Sequence, residues 1–464
     1  MTRLLPTSAV FNVLDYGARG DGLTNDAAAI QAAIDACFTA GGGTVTLPGG
    51  RTYRSGSLEL RAATEFRVER GATLLASSDY ADYQFAHHSD QVTGGLFFET
   101  ELPRRAWITA FGAHDLCITG GGRIDGNGRG FVQVDMGDYF VMRGADSADA
   151  VQGGDQYRER PFTLHLIGCQ RLDIHHVTIL DGAHWTLRLT GCDDVSVSSV
   201  RLHNSFKVPN CDGIDLDHCK RVRISGCDVR AGDDAICLKS CKATEVYGVC
   251  EDVTVTNCTL SSASSALKTG NENWGLIRNV IFQGCVVRDS NRGLTVHCGE
   301  PGGVENVLFS DIIVETRKYQ RSWWGRSEPI YVNATAWKKE DGVGKIRNVR
   351  FRNILASGEN GVFVYAEQNG DVDGVTLENV RLEVGEWLGR FPTRMQDFRP
   401  RTGRGGEEDR PTRGITVEGA AHVTLRHVEV VWGENRQPYY GEALYSYKAE
   451  GLKVEDFTGS DVSD

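Results

Sequence analysis

Two short segments carry aspartates at a spacing suited to acid–base chemistry: Pro209-Asn-Cys-Asp-Gly-Ile-Asp215 and Ala231-Gly-Asp-Asp-Ala-Ile236. Aligned on the Gly-Ile and Ala-Ile pairs that close them, Asp212 stands one chain repeat before Asp234, 22 residues away, with Asp233 alongside. Neighbouring strands lie about 4.8 Å apart, so the alignment predicts three carboxyl groups on one patch. Crowded carboxylates push at least one pKa upward and leave a protonated acid beside an ionised base. Glycosidic hydrolysis needs that combination: one carboxyl protonates the leaving oxygen, another activates water, and inverting pairs stand roughly 6.5–9.5 Å apart. A calcium site is the competing reading of the same cluster. A single aspartate in a turn would serve only its own backbone.

The elements that must position these residues form a repeat. A short alternating strand, two polar residues and a second apolar pair recur as Leu172-Asp-Ile174 with Val177-Thr-Ile179, then from Val195, Val222, Val253 and Val280. Further copies start at Val307, Val349, Val375 and Val423, and an earlier one is Leu116-Cys-Ile118. The anchors Leu172, Val195, Val222, Val253, Val280 and Val307 are separated by 23, 27, 31, 27 and 27 residues. Period-2 alternation reads as strand and recurrence at one coil length reads as solenoid. With no helical pattern between the strands, a doubly wound α/β fold is excluded. The expected fold is an all-β, single-stranded right-handed parallel β-helix forming one domain over residues 1–464.

The open end of a solenoid needs a cover. Residues 25–37 supply an N-terminal capping helix, with Ala29, Ile30, Ala33 and Ile34 at helical spacing behind an Asn25-Asp26 start signal. The Gly41-Gly-Gly43 turn ends it, and the first strand is expected at Thr44–Leu47. Residues 126–161 and 390–413 interrupt the repeat and read as long loops; the second carries seven arginines against four acids. Loops of that length are functional or solvated, and both are placed to wall a substrate cleft.

A net charge of −12 argues against nucleic acid or an anionic membrane as partner. The 13 cysteines recur at fixed points of the repeat, as Cys192, Cys219 and Cys250 and as Cys227, Cys258 and Cys285. That pattern reads as buried thiols rather than as a disulfide framework or zinc knuckles. Met1–Val13 has no apolar run of signal-peptide length. With unpaired thiols this predicts a cytoplasmic protein, or a secreted one if a signal has been removed.

These motifs resemble family 28 of the glycoside hydrolases, the polygalacturonase family, within the pectin-lyase-like β-helices. Phe11-Asn-Val-Leu-Asp-Tyr-Gly-Ala-Arg-Gly-Asp-Gly-Leu-Thr-Asn-Asp26 and Gly120-Gly-Gly-Arg-Ile-Asp-Gly-Asn-Gly128 are similar to its N-terminal signatures, and Trp185-Thr-Leu-Arg-Leu189 to its tryptophan-bearing coil. Asn210-Cys-Asp-Gly213 and Gly232-Asp-Asp234 correspond to its Asn-Thr-Asp and Gly-Asp-Asp motifs. The resemblance implies inversion with no metal and no cofactor, Asp233 as general acid, and Asp212 and Asp234 as holders of the attacking water. Two motifs depart from the family. Ser264-Ser-Ala266 replaces Gly-His-Gly, so Ser265 stands for the histidine, and Thr295-Val-His297 replaces the Arg-Ile-Lys that grips a galacturonate carboxylate.

Further candidates for carbohydrate binding are Asn210, His184 and Trp185, and Lys239, expected to lower an aspartate pKa. Lys268, Glu272, Arg292 and His297 lie near the altered motifs, and Arg292 falls in the aspartate column one coil beyond Ser265. Trp323 and Trp324 suggest a sugar-stacking platform, with Arg326 or Glu328 bonding hydroxyls. The sequence thus predicts a glycoside hydrolase on a pectin-related saccharide, with exo-action favoured by the long loops. Two alternatives stand: a calcium-dependent polysaccharide lyase with Arg292 as its basic catalyst, and a non-catalytic carbohydrate-binding β-helix.

Overall fold

A strand of alternating apolar and polar residues buries one face, and strands recurring at coil length pair each coil with the next. The computed structural model describes residues 9–84, 105–143, 159–319, 323–386, 394–399 and 406–460. It divides into two units, Met1–Asp233 and Asp234–Asp464. Residues 1–8, 144–158, 390–393 and 400–405, which belong to the N-terminal and loop expectations above, lie outside the described residues.

In the first unit the coils stack as three parallel ladders. One runs Gly43–Leu47, Thr64–Val68, His114–Thr119, Gln170–His175, Asp193–Ser198 and Lys220–Ser225. The second runs from Thr52–Ser55 to Asp228–Ala231. The third runs Leu58–Leu60, Ala106–Phe111, Phe162–Ile167, Leu187–Thr190 and Ile214–Asp217. The expected anchors fall in register, Leu116 on Leu172, Leu172 on Val195 and Val195 on Val222. All four are buried.

The capping helix spans Ala27–Thr39 and buries Ile30, Ala33, Ile34 and Cys37, while Ala29 is half-buried. Asn25 Oδ1 accepts from Ala27 N at 3.1 Å, whereas Asp26 turns away from the helix and accepts from Arg19 N and Gly20 N at 2.8 and 2.9 Å. The first strand is not Thr44–Leu47, because Val10–Asn12 and Asp21–Asn25 precede the helix, and Val10–Asn12 pairs with Thr44–Thr46. Nor is the segment from 126 wholly loop, since Val132–Asp135 pairs antiparallel with Phe140–Met142.

In the second unit one ladder runs Ile236–Ser240, Ser265–Asn273, Arg292–Cys298, Ile330–Ala334, Val362–Ala366, Ile415–Glu418 and Leu444–Tyr447. Against it stand Cys250–Thr256, Ile277–Gln283, and the long strands Val304–Thr316, Ile346–Gly358 and Val372–Val384. Val253, Val280, Val307, Val349 and Val375 form one column. Like side chains stack on like: Phe282, Phe309 and Phe351 are parallel rings at 4.7 and 4.8 Å. At the bend, Asn279, Asn306 and Asn348 take left-handed φ and pass their amides along at 3.3 and 2.8 Å. Asparagine tolerates that conformation. Met395–Asp397 and Glu407–Asp409 pair antiparallel, so the second expected loop also holds a hairpin.

None of the 13 cysteines is in a disulfide, and all but Cys117 are buried. No helix among the described residues is long and apolar enough to cross a membrane. Phe309 is fully buried between two rings, so Phe309→Ala leaves a cavity within its column. We expect a loss of about 3–5 kcal/mol, read from denaturant unfolding; a loss below about 1 kcal/mol would mean that the column contributes little.

Candidate active site

In the first unit Asp212 lies in the turn before strand Ile214–Asp217, and Asp233 follows strand Asp228–Ala231. Three buried groups hold these turns. Asn204 accepts from Gly182 N at 2.9 Å and donates to Thr186 Oγ1 at 2.7 Å and to the Cys211 carbonyl at 3.3 Å. Gly232 N–H donates to the Cys211 carbonyl at 3.0 Å. A Cβ on Gly232 would sit 2.4 Å from the Val208 carbonyl oxygen and 2.5 Å from that of Ser205, so no other residue brings the two turns together. Arg160 donates to the carbonyls of Ala183 and Pro209 at 2.9 and 2.7 Å, tying the turn that carries Asn210 to its neighbour.

So held, Asp212 and Asp233 are buried and bring carboxylate oxygens within 4.8 Å of each other. Asn210, in left-handed φ, donates to Asp233 Oδ2 at 3.5 Å. The oxygens are closer than the roughly 6.5–9.5 Å expected of inverting carboxyl pairs. At O–H···O lengths of about 2.7–2.8 Å, two oxygens so near both reach one water.

In the second unit Asp234 is buried and fully engaged. Lys268 Nζ donates to its Oδ2 at 2.6 Å, and Ser264 Oγ and Ser265 N donate to its Oδ1 at 3.0 and 3.3 Å. Burial alone would raise the Asp234 pKa; the charges of Lys268 and then Lys239, with the Lys268 and Ser264 hydrogen bonds, outweigh it and hold the carboxyl below its ordinary value. Lys239, the smaller of the two charges on Asp234, itself pairs with Glu272 at 3.2 Å. Asp234 and Lys268 leave little for a calcium ion, which wants six or more oxygen ligands and no competing cation.

Farther along the same ladder the partners differ from expectation. Ser265 pairs with Arg292 in register, which places Arg292 in the aspartate column. Its Nε donates to Glu328 at 3.0 Å, its Nη2 forms an ion pair with Asp397 at 3.0 Å, and the guanidinium lies 3.6 Å from the centre of the Tyr331 ring. Burial lowers its pKa, but the Glu328, Tyr331 and Asp397 charges reverse that and raise it. A guanidinium so held cannot take a proton, which removes Arg292 as a lyase base. Glu328 is fully buried with one oxygen on Arg292 Nε and Arg326 N, while its Oε1 has no hydrogen-bond partner among the described residues, and Arg326 is buried in an ion pair with Glu407. Burial pushes the Arg326 pKa down to about 10.

Trp323 is buried, whereas Trp324 is half-buried, edge-on to Trp337 and beneath the Arg399 guanidinium. Of the expected platform, Trp324 keeps an accessible part. His184 and Trp185 are taken up in packing: Trp185 N donates to His184 Nδ1 at 2.7 Å, and the indole packs on Phe162 beneath Arg188. His297 is buried edge-on to Tyr331. Burial, then Lys268 and Arg292, hold its pKa well below the usual histidine range, so it is neutral at pH 7.

The sequence reading passed over Asp397, Tyr331, Asn204 and Arg160. Asp397 is fully buried and binds Arg292, Arg399 and Gly325 N. Its place in an arginine-rich interruption of the repeat was the one available signal. Phe398, the next residue, packs edge-on to Phe363 and Tyr365 at 5.2 and 4.8 Å, so the hairpin covers the ladder there.

Residues 64–393 match the profile of glycosyl hydrolases family 28, and residues 10–95 match rhamnogalacturonase A/epimerase, pectate lyase-like. The chain is 24% identical to Polygalacturonase-2 of Solanum lycopersicum over 392 residues, 81% of this chain and 75% of that one. It is 29% identical to the exo-poly-alpha-D-galacturonosidase of Dickeya chrysanthemi over 254 residues, spanning 49% of this chain and 41% of that one. Among solved structures it shares its fold with the Yersinia enterocolitica family 28 exopolygalacturonase, at TM-score 0.67 and 18% identity over 96% of this chain and 78% of that one. With the family profile covering well over half its length, the chain belongs to family 28 of the glycosyl hydrolases and is a glycoside hydrolase on a right-handed parallel β-helix.

Proposed function

We propose that the enzyme cleaves a pectin-related saccharide with inversion, Asp233 acting as general acid and Asp212 and Asp234 holding the attacking water. The approach of Asp212 and Asp233 within 4.8 Å, with Asp234 the next residue in the chain, carries the acid–base part of this reading, and membership of family 28 supports inversion. Asp233 gives its proton to the glycosidic oxygen as the bond to the anomeric carbon breaks. Water adds to that carbon from the opposite face and loses a proton to a carboxylate. Lys268 makes Asp234 the poorer base, so Asp212 takes the proton and Asp234 orients the water.

Chain-end action is part of the proposal. The Met395–Asp397 hairpin lies over Tyr331 and Phe363. The Tyr331 strand is the third after Ile236–Ser240, or about 14 Å at the usual strand spacing. A ladder covered so near Asp234 suits a saccharide that terminates there. The repeat Val222 to Val253 runs through the boundary between the units, which supports one continuous domain, and thiols free of disulfides fit a reducing, cytoplasmic compartment.

Asp233→Asn should lower kcat by roughly 10²–10⁴-fold with circular dichroism unchanged, and proton NMR of the wild-type reaction should show the inverted anomer first. Full activity in the variant, or retention of configuration, overturns the assignment. On a pectic polymer, reducing ends should appear well ahead of any fall in viscosity; an early viscosity drop would mean internal cleavage. Because Lys268 depresses the Asp234 pKa, the ionised form persists to lower pH in the wild type. Lys268→Met removes that charge, so the acidic limb of kcat/KM should move up by about 1–3 pH units; an unmoved limb would show that Asp234 does not govern it.

A further inference from the structure

The altered family motifs leave an open question of what the second unit recognises, and the charges around them are already matched. Lys268 is spent on Asp234 and Lys239 on Glu272. Arg292 is spent on Glu328 and Asp397, Arg399 on Asp397 and Glu407, and Arg326 on Glu407. Five cations thus face five carboxylates, all within this unit. A uronate brought among them would find no uncommitted cation in this set, and burying a carboxylate without one is strongly unfavourable.

Different groups stand open in the positions of the replaced motifs. Ser265 Oγ, Thr295 Oγ1 and His297 Nε2 are buried and have no hydrogen-bond partner among the described residues. The Ser265 amide and the Lys268 ammonium both reach Asp234, Thr295 pairs in register with Lys268, and His297 follows Thr295 by two residues, on the same strand face. All three are uncharged at pH 7, and each is a donor or acceptor suited to a hydroxyl. Buried polar groups are rarely left unpaired, so such a trio reads as awaiting a ligand.

We propose that this part of the site selects an uncharged glycosyl unit, recognised through its hydroxyls by Ser265, Thr295 and His297, where a galacturonan-cleaving relative would place a uronate. The proposal rests on the hydrolase reading above and narrows its substrate to saccharides carrying a neutral sugar, or an esterified uronate, beside the scissile bond. The balanced ion pairs are then specificity devices, since they reject a carboxylate instead of attracting one.

The test is calorimetric binding of galacturonate, methyl galacturonate ester, galactose and rhamnose to the wild-type protein, in parallel with cleavage of galacturonate and methyl-esterified galacturonate trimers. At least one neutral sugar should bind tenfold or more tighter than galacturonate. The double variant Thr295→Arg/His297→Lys, which restores cations, should shift the galacturonate-to-neutral affinity ratio at least tenfold toward galacturonate. Galacturonate binding as tightly as every neutral sugar, or no binding by any neutral sugar, overturns the proposal. Tighter neutral-sugar binding with neither trimer cleaved would uphold the proposal and count against the assigned hydrolysis.

Discussion

Parallel pairing of coil on coil, in register and about 4.8 Å apart, is the constraint on which the other features depend. It turns every sequence position into a column. Where a column faces inward it becomes a stack of like groups, such as Phe282, Phe309 and Phe351, because identical shapes pack at the strand spacing without adjustment. Where a column lies at the bend it becomes the chain of Asn279, Asn306 and Asn348 amides. Where it faces outward it holds ionisable groups at distances that no isolated strand would permit, and Lys268 meets Asp234 across one such step. The same geometry that lets the core be built from small repeated units therefore forces the electrostatics to be settled column by column.

Much of this was readable in the residues because it is periodic. The anchors from Leu172 to Val375 announce themselves by alternation, and the aspartate turns by a glycine, Gly232, whose site admits no Cβ. What escaped reading is aperiodic. Glu328 lies 36 residues from Arg292, and Asp397 sits in an interruption of the repeat. No spacing rule pairs either with Arg292, so the guanidinium looked available for substrate or catalysis. The partners of Trp185 and Arg326 were illegible for a related reason. A tryptophan or arginine in a polar context is equally suited to a sugar and to a neighbouring side chain, and only the packing of Phe162 or the ion pair with Glu407 decides. The helix start shows a subtler version, since the Asn25 side chain accepts the first helical N–H while Asp26, at the N-cap position, binds the Arg19-Gly20 turn.

The buried ion pairs of the second unit are hard to explain as sources of stability. Desolvating a carboxylate and a guanidinium costs several kcal/mol each, and well-packed apolar replacements of buried pairs are often as stable or more so. Arg292, Glu328 and Asp397 are all at most 2% exposed, so each bears that cost almost in full. What such a cluster supplies, and apolar residues would not, is a fixed polar surface with no net charge, tied down at several points by directional bonds. Asp397 shows this well, because its two oxygens hold Arg292, Arg399 and the Gly325 amide together and so join the hairpin to the ladder. A wall of that kind keeps its shape when a polar ligand arrives, and it exerts little pull on a charged one. The catalysis proposed for Asp212, Asp233 and Asp234 needs a carboxyl that stays protonated beside others that stay ionised. A cluster without net charge leaves the ionisation of Asp234 to its own partners, Lys268 and then Lys239, since an uncommitted cation nearby would stabilise the ionised form of every carboxyl it reached.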